Sequence, residues 1–326
     1  MSRQRYLLKR TLQTVFMLWV VITFLFFFFR LLPGSFLDIL TFQGASPETI
    51  ARLKEKWGLN DPLYVQYGRY LWNMLNADAG ISLQYRKPVW EYVRMRIFNS
   101  FILIAPAITF SYIVGSLIGA VMGTKRGSWF EKHGLIPILF AGSFPSFFIA
   151  IMLIIVFAGW LNIFPTSGIV GIGQSFDTWW EPYTSKAFAM HYVLPFTAVV
   201  FRYLFLPTLT MRTSVVETLG QDFSFYHRMT GLPKLRRLQH TIKHSSLPVI
   251  TLYPVSMTRA IGGLVLIETV FNWPGIGYTL VQAVVFRDVP VVQFVFFLVA
   301  TFVILANFGV DVLYGVIDPR VSLGDT

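Results

Sequence analysis

The stretches Ser100 to Gly123, 24 residues, and Leu135 to Leu161, 27 residues, carry no charged residue. An α-helix rises about 1.5 Å per residue and the hydrocarbon core of a bilayer is about 30 Å thick, so roughly 20 apolar residues suffice to cross it. Extending the search gives six apolar segments, at 11–32, 99–124, 134–161, 191–211, 247–270 and 290–316, each near or above that length. The expectation is an all-α transmembrane fold in which residues 1–326 form a single six-span domain. Composition agrees, since 55% of residues are hydrophobic and only 13% charged, too oily for a soluble enzyme. Cysteine is absent, which excludes a disulfide framework, thiolate metal ligands, iron–sulfur clusters and a cysteine nucleophile. The first segment has a basic leader, as a signal peptide would. Its apolar run is long and no small-x-small cleavage site follows Arg30, so it reads as an uncleaved anchor.

The net charge of +11 raises nucleic acid as a partner. The basic residues are spread over several loops with no run of five, so they read instead as a topology signal and a contact to anionic lipid headgroups. With the N-terminus in the cytoplasm, the inner side carries 14 Lys and Arg, among them Arg10, Lys125, Arg212, Lys234 and Arg320; the two short outer loops carry only Lys186 and Arg287. Six spans then place both termini in the cytoplasm. The long segment 33–98 reads as an extracytoplasmic cap. It has turn signals at Pro33-Gly34, Asn60-Asp61-Pro62 and Asp78-Ala79-Gly80, a helix start at Ser46-Pro47-Glu48 with Ile50, Leu53 and Trp57 on one face, and a second short helix from about Leu63 to Leu75. The outer loop 162–190, with Trp179, Trp180 and Tyr183, suits the headgroup level.

The most informative stretch is the loop 213–246 between the fourth and fifth spans. It holds Asp222, Phe223, Phe225, Tyr226, His227, Arg228 and Met229, then Gly231-Leu232-Pro233, then a basic amphipathic run through Lys243. The pattern predicts a short helix stopped by Gly231, whose missing Cβ permits a left-handed turn, and a second helix behind Pro233. A helix with Phe223, Phe225, Tyr226 and Met229 to bury is either a docking knob for another protein or an interfacial helix lying on lipid.

The order Asp222…Gly231-Leu232-Pro233…Leu247-Pro248 resembles the cytoplasmic "EAA" loop of bacterial and archaeal ABC importer permeases. The resemblance covers nearly the whole chain. Trp57-Gly58-Leu59-Asn60-Asp61-Pro62, Asp78-Ala79-Gly80-Ile81-Ser82, Glu268 through Gly277, Arg287 through Gln293 and Asp311…Tyr314…Asp318-Pro319-Arg320-Val321 are similar to the dipeptide/oligopeptide subfamily, B-type subunit. The chain departs from the pattern at Phe225-Tyr226-His227, where the family has small residues, and in a slightly short interval from Gly231 to Leu247. The resemblance implies a type I importer-like permease of a prokaryotic cytoplasmic membrane, half of a pathway for di- or oligopeptides; similar permeases carry oligosaccharides or nickel chelates. It implies a second permease subunit, two ATPase subunits or domains that hold ATP and Mg, and an extracytoplasmic binding protein. No cofactor is then expected on this chain, and no G-x-x-x-x-G-K-[ST] occurs in it. The loop would be the coupling helix that seats in an ATPase groove.

Other features remain. Gly115, Gly119 and Gly123 recur every four residues on the second span, a face for close helix packing that sliding helices could also use. Pro106, Pro137, Pro145, Pro195, Pro207 and Pro254 mark kinks. Charges at membrane depth are Arg30, Arg202, Arg259, Glu268 and Asp311. Arg30 and Glu268 sit near outer span ends and are expected to snorkel; Arg202, Arg259 and Asp311 are candidates for ion pairs or for the transport path. His240 and His244 have metal-ligand spacing without a third ligand nearby and read as a solvated basic face. A lipid-modifying membrane enzyme would need clustered acidic or histidine residues, and a self-sufficient channel would need no ATPase partner.

Overall fold

The computed structural model describes residues 3–31, 46–56, 60–171 and 173–317. Of the expected motifs, Trp57-Gly58-Leu59 and Asp318-Pro319-Arg320-Val321 lie outside the described residues, as do the side chains of Leu53, Phe223 and Arg228. Among the described residues no strand forms, only one isolated bridge between Ile81 and Pro88. Among the described residues four helices are long and apolar enough to cross a membrane, up to six if each of two bent helix pairs is one span.

The chain divides into two compact units, Met1–Ile97 with Thr279–Thr326, and Phe98–Tyr278. In the first unit α1 (Arg3–Leu31) packs along α13 (Val289–Ile317). Asp311 on α13 accepts from Arg10 Nε at 2.6 Å, so this membrane-depth acid is held in an ion pair. Helices α2 (Pro47–Lys56) and α3 (Leu63–Leu75) form where the turn signals predict them, and α3 starts directly behind Pro62. Buried Phe26 of α1 meets Tyr67 and Tyr70 of α3 at ring distances of 5.2 and 5.3 Å. Arg30 lies 4.1 Å from the Phe26 ring centre and donates to Gln66, a span-end arginine reaching out of the apolar segment as expected.

The helix that carries the second apolar segment begins within the residues read as the cap. Helix α4 runs from Val89 to Thr124, 36 residues, beginning well before the predicted boundary at 99. The polar residues Glu91, Arg94 and Arg96 mask the helix start in a hydropathy reading, but Val89 and Val93, one turn apart, are both fully buried.

In the second unit the glycine face of α4 packs against α8 (Lys186–Leu219). A Cβ on Gly115 would lie 2.9 Å from Pro207 Cγ, one on Gly119 would lie 2.3 Å from the Thr208 carbonyl oxygen, and one on Gly123 would lie 2.7 Å from Val215. The stripe is therefore a close-packing face. The third apolar segment is one run in sequence but two helices in structure: α5 (Trp129–Ser143) and α6 (Ser146–Trp160, π-helical from Ile154) meet at 107°. The break has a local cause. Phe144 precedes Pro145 and sits in extended geometry (φ −86°, ψ 146°), the conformation that a following proline favours. The fifth span, α11 (Leu247–Val270), bends by 57° between Leu247–Ala260 and Gly262–Val270, several residues beyond Pro254 where the kink was expected. Short α7 (Glu181–Thr184) precedes α8, and Trp179 and Trp180 stay more than half exposed. The chain passes between the units within α4 and α12 (Ile276–Val285).

Candidate functional site

Helix α8 ends at Leu219 and Gly220, and the loop that follows folds into the predicted pair, α9 (Asp222–Met229) and α10 (Lys234–Ser245). Asp222 in the first turn of α9 complements the helix dipole. Gly231 has φ +69°, and the Leu232 N–H donates to the His227 carbonyl at 3.2 Å, the longer closing bond of a Schellman stop. Pro233 then caps the start of α10. The hairpin is fastened to its neighbours: buried Ser245 donates to Thr218 Oγ1 of α8 at 2.9 Å, and Thr241 is buried on the same face. Phe225, Tyr226 and Met229 face outward at 56, 66 and 71% exposure. Positions i, i+1 and i+4 lie within about 100° of the helix circumference, so these three form one exposed apolar patch. His227 lies beside His240, rings 5.0 Å apart, and no third ligand-type side chain joins them among the described residues.

The membrane-depth charges separate into latched and open ones. Glu268 is fully buried on α11 and does not snorkel. It accepts from Ser100 Oγ at 2.5 Å and from the Tyr278 N–H at 2.9 Å. Around it the Glu268–Gly277 motif closes into a compact turn. Trp273, fully buried, donates from Nε1 to the Asn99 carbonyl at 3.0 Å, and Asn99 donates to the Pro274 carbonyl at 2.8 Å. A Cβ on Gly275 would fall 2.0 Å from Glu268 Oε1, which is why glycine stands there. Buried Asp288 is held likewise: Ser82 Oγ and the N–H groups of Leu83 and Gln84 donate to it at 2.5, 3.1 and 3.2 Å.

Arg202 and Arg259 behave differently. Both line one cavity of about 370 Å³ with Tyr203 and Ser256, and among the described residues neither forms an ion pair. The cavity is also lined by Pro145, Ser146 and Phe147, at the break between α5 and α6, and by Ala260 and Gly263, at the bend of α11.

Sequence reasoning missed the pairing of Glu131 with Arg212. Glu131 is buried on α5, accepts from Arg212 Nε of α8 at 2.7 Å and from the Gly127 N–H at 2.5 Å, and its own N–H donates to Ser128 Oγ. Ser128-Trp-Phe-Glu131 is a capping-box pattern that flags the acid, although not its distant partner.

Four to six helices long and apolar enough to cross a membrane, two of them bent beside a cavity, make this a polytopic membrane protein among the described residues. Residues 3–103 match the N-terminal membrane component, and residues 115–323 the inner membrane component, of binding-protein-dependent transport systems. The chain belongs to this family, the permeases of ABC importers. It is 35% identical to the dipeptide transport system permease protein DppB of Escherichia coli K12, over 97% of this chain and 98% of that one. It is 32% identical to the protein of the same name from Alkalihalophilus pseudofirmus, over 97 and 99% of the two chains. A putative peptide transport system permease protein of Brucella abortus (strain 2308) is 33% identical over 97 and 98%.

Proposed function

We propose that this chain is one of two permease subunits of an ATP-driven importer of di- and oligopeptides. The observation that carries the reading is similarity along nearly the full length to permeases named for dipeptide and peptide transport. The α9–α10 hairpin is the coupling element, and Asp222 through Pro233 dock on a cytoplasmic ATPase. The exposed patch of Phe225, Tyr226 and Met229 supports a protein partner. The bulky Phe225-Tyr226-His227 sequence makes that contact larger and more apolar than small residues would.

Two ATPases hold ATP and Mg in this scheme. ATP binding favours one orientation of the cavity and hydrolysis resets it. Nucleotide shifts that equilibrium only by its differential affinity for the two states, which the hairpin must transmit. A second permease completes the pathway, and a binding protein delivers peptide to an extracytoplasmic cap built from residues 33–98. Both termini face the cytoplasm of a prokaryotic cell. The test is reconstitution in liposomes together with a second permease and the ATPases. ATP-dependent accumulation of a radiolabelled dipeptide presented on its binding protein is expected. Accumulation by this chain alone, or uptake of an oligosaccharide or nickel chelate with no peptide uptake, overturns the reading.

A further inference from the structure

The cavity on α6, α8 and α11 is lined by two arginines that sit near the middle of long apolar helices. Arg202 lies 16 residues from Lys186 and 17 from Leu219, and Arg259 lies 12 residues from Leu247 and 11 from Val270. At about 1.5 Å per residue each is some 15–25 Å of helix from either end. An arginine side chain spans about 7 Å and cannot snorkel across that distance. A charge left there needs an anion, water or both, because its cost at a helix centre is at least about 2.5–3.5 kcal/mol. The other interior charges of the chain have found partners inside it: Asp311 has Arg10, and Glu268 has Ser100 and the Tyr278 amide. Among the described residues Arg202 and Arg259 have no carboxylate in reach, and both line one cavity while staying exposed on this chain, so a group from outside the chain must meet their charge.

The rest of the lining fits a ligand with an anionic end. Ser256 and Tyr203 add hydroxyl groups, while Val199, Leu206, Leu264 and Ile267 make one wall apolar. Ser146 and Phe147, the first residues of α6, line the same space, and that helix start carries no side-chain cap. Uncapped N–H groups and the positive end of the helix dipole add to the field of the two arginines. Discontinuous helices around a midplane cavity are also how carrier proteins build solute sites from backbone.

We infer that Arg202 and Arg259 form a carboxylate-binding site in the translocation pathway, which takes the C-terminal carboxylate of the passing peptide while the apolar wall accommodates its side chains. The inference rests on the peptide-importer reading and adds to it a chemical requirement, a free carboxylate on the solute. Two arginines at one anion can each donate a charged hydrogen bond, and loss of one is worth about tenfold to a hundredfold.

The experiment uses the assembled transporter in phosphatidylcholine vesicles with saturating peptide-loaded binding protein, so that delivery is not limiting. Uptake of radiolabelled dialanine is compared with uptake of dialanine amide for the wild type, R202Q, R259Q, and the charge-retaining R202K and R259K. Dialanine uptake is expected to fall at least tenfold in each Gln variant and to recover substantially in the Lys variants. Wild-type complex should move the amide at least tenfold more slowly than the acid, and the Gln variants should narrow that gap. Co-purification of the second permease and the ATPases checks that each variant assembles. Gln variants that assemble and move dialanine at the wild-type rate overturn the inference, as does a gap between acid and amide that the Gln variants leave intact. Loss in the Gln and Lys variants alike, with the complex failing to assemble, assigns the arginines to a subunit contact and overturns it too. A loss seen only when phosphatidylglycerol is added assigns them to lipid headgroups, with the same consequence. A wild-type complex that accumulates no peptide refutes instead the peptide-importer reading on which the site rests.

Discussion

Replacing Gly231 tests the coupling hairpin by conformation alone. The residue has φ +69°, and a Cβ built on it meets nothing within 4 Å. Substitution therefore creates no collision, and the whole effect comes from the left-handed backbone. An L-residue there costs roughly 1–2 kcal/mol, with asparagine at the low end and a β-branched residue at the high end. Since about 1.4 kcal/mol is a factor of ten, valine shifts the Schellman turn about ten- to thirtyfold toward other backbone arrangements, each of which turns α9 away from α10. The apparent affinity of an ATPase for the docked form falls with the competent fraction.

The assay is ATP-driven uptake per ATP hydrolysed in the reconstituted complex, for Gly231→Asn, Gly231→Ala and Gly231→Val. Membrane insertion should be unchanged in all three, and coupling should decline in the order Asn, Ala, Val. This order is not the order of side-chain volume, because asparagine is larger than alanine. Coupling that follows volume, with Asn worse than Ala, refutes the argument from backbone strain. A Val variant with wild-type coupling refutes the role of the turn itself.

Three other predictions follow from buried geometry. Gly119→Ala forces a Cβ to within 2.3 Å of the Thr208 carbonyl, so α4 and α8 must separate; a loss of about 1–3 kcal/mol, read as a lower unfolding temperature of the purified protein, is expected, while Gly68→Ala, with open space around it, should be neutral or slightly stabilising. Asp288→Asn leaves three donors facing a weaker acceptor that brings donors of its own, and should cost about 1–3 kcal/mol in the same assay, more than Ser82→Ala, which removes one of the three. Burial pushes the Tyr70 hydroxyl up to about 12; an unfolded tyrosine ionises near 10, so the unfolded state loses its proton first, and stability should fall as pH rises from about 10 to 12. Tyr70→Phe should flatten that decline in an alkaline unfolding titration, and an unchanged slope would show that the hydroxyl is not buried.

What could be read in the sequence was local. Helix α3 begins behind Pro62 and α9 stops at Gly231 because proline and glycine act on the backbone that carries them. The stripe Gly115, Gly119, Gly123 announces a close neighbour without naming α8. The angle between α5 and α6 was not legible. Pro145 explains a break, but 107° is set by packing, as where Gly142 of α5 seats against the Phe205 ring of α8. Nor was the state of Glu268, which hydropathy places near a span end. Its partner Ser100 lies 168 residues away, and no local pattern encodes that contact. The convergence of Arg202 and Arg259 was hidden for the same reason.

Stiff and bent elements divide along functional lines. The stretches similar to peptide permeases fall where helices end: Ser82 meets Asp288, and Glu268 to Gly277 closes on Asn99 and Ser100. Each closure puts a buried carboxylate on backbone N–H groups, an arrangement with too many bonds to open cheaply. Among the described residues the breaks of α5–α6 and α11 carry no such latch, and both border the cavity. The α9–α10 hairpin lies between α8 and α11, which carry Arg202 and Arg259. From Leu219 to Arg202 is 17 residues and from Leu247 to Arg259 is 12, about 25 and 18 Å of continuous helix at 1.5 Å per residue. Movement imposed on the hairpin thus has a helical path to each arginine, with Pro207 on α8 and Pro254 on α11 along the way. On the α11 side the observed 57° bend lies just past Arg259. In the proposed importer, ATPase closure therefore acts on the two helices that carry the guanidinium groups, and affinity for an anionic end is what the stroke alters.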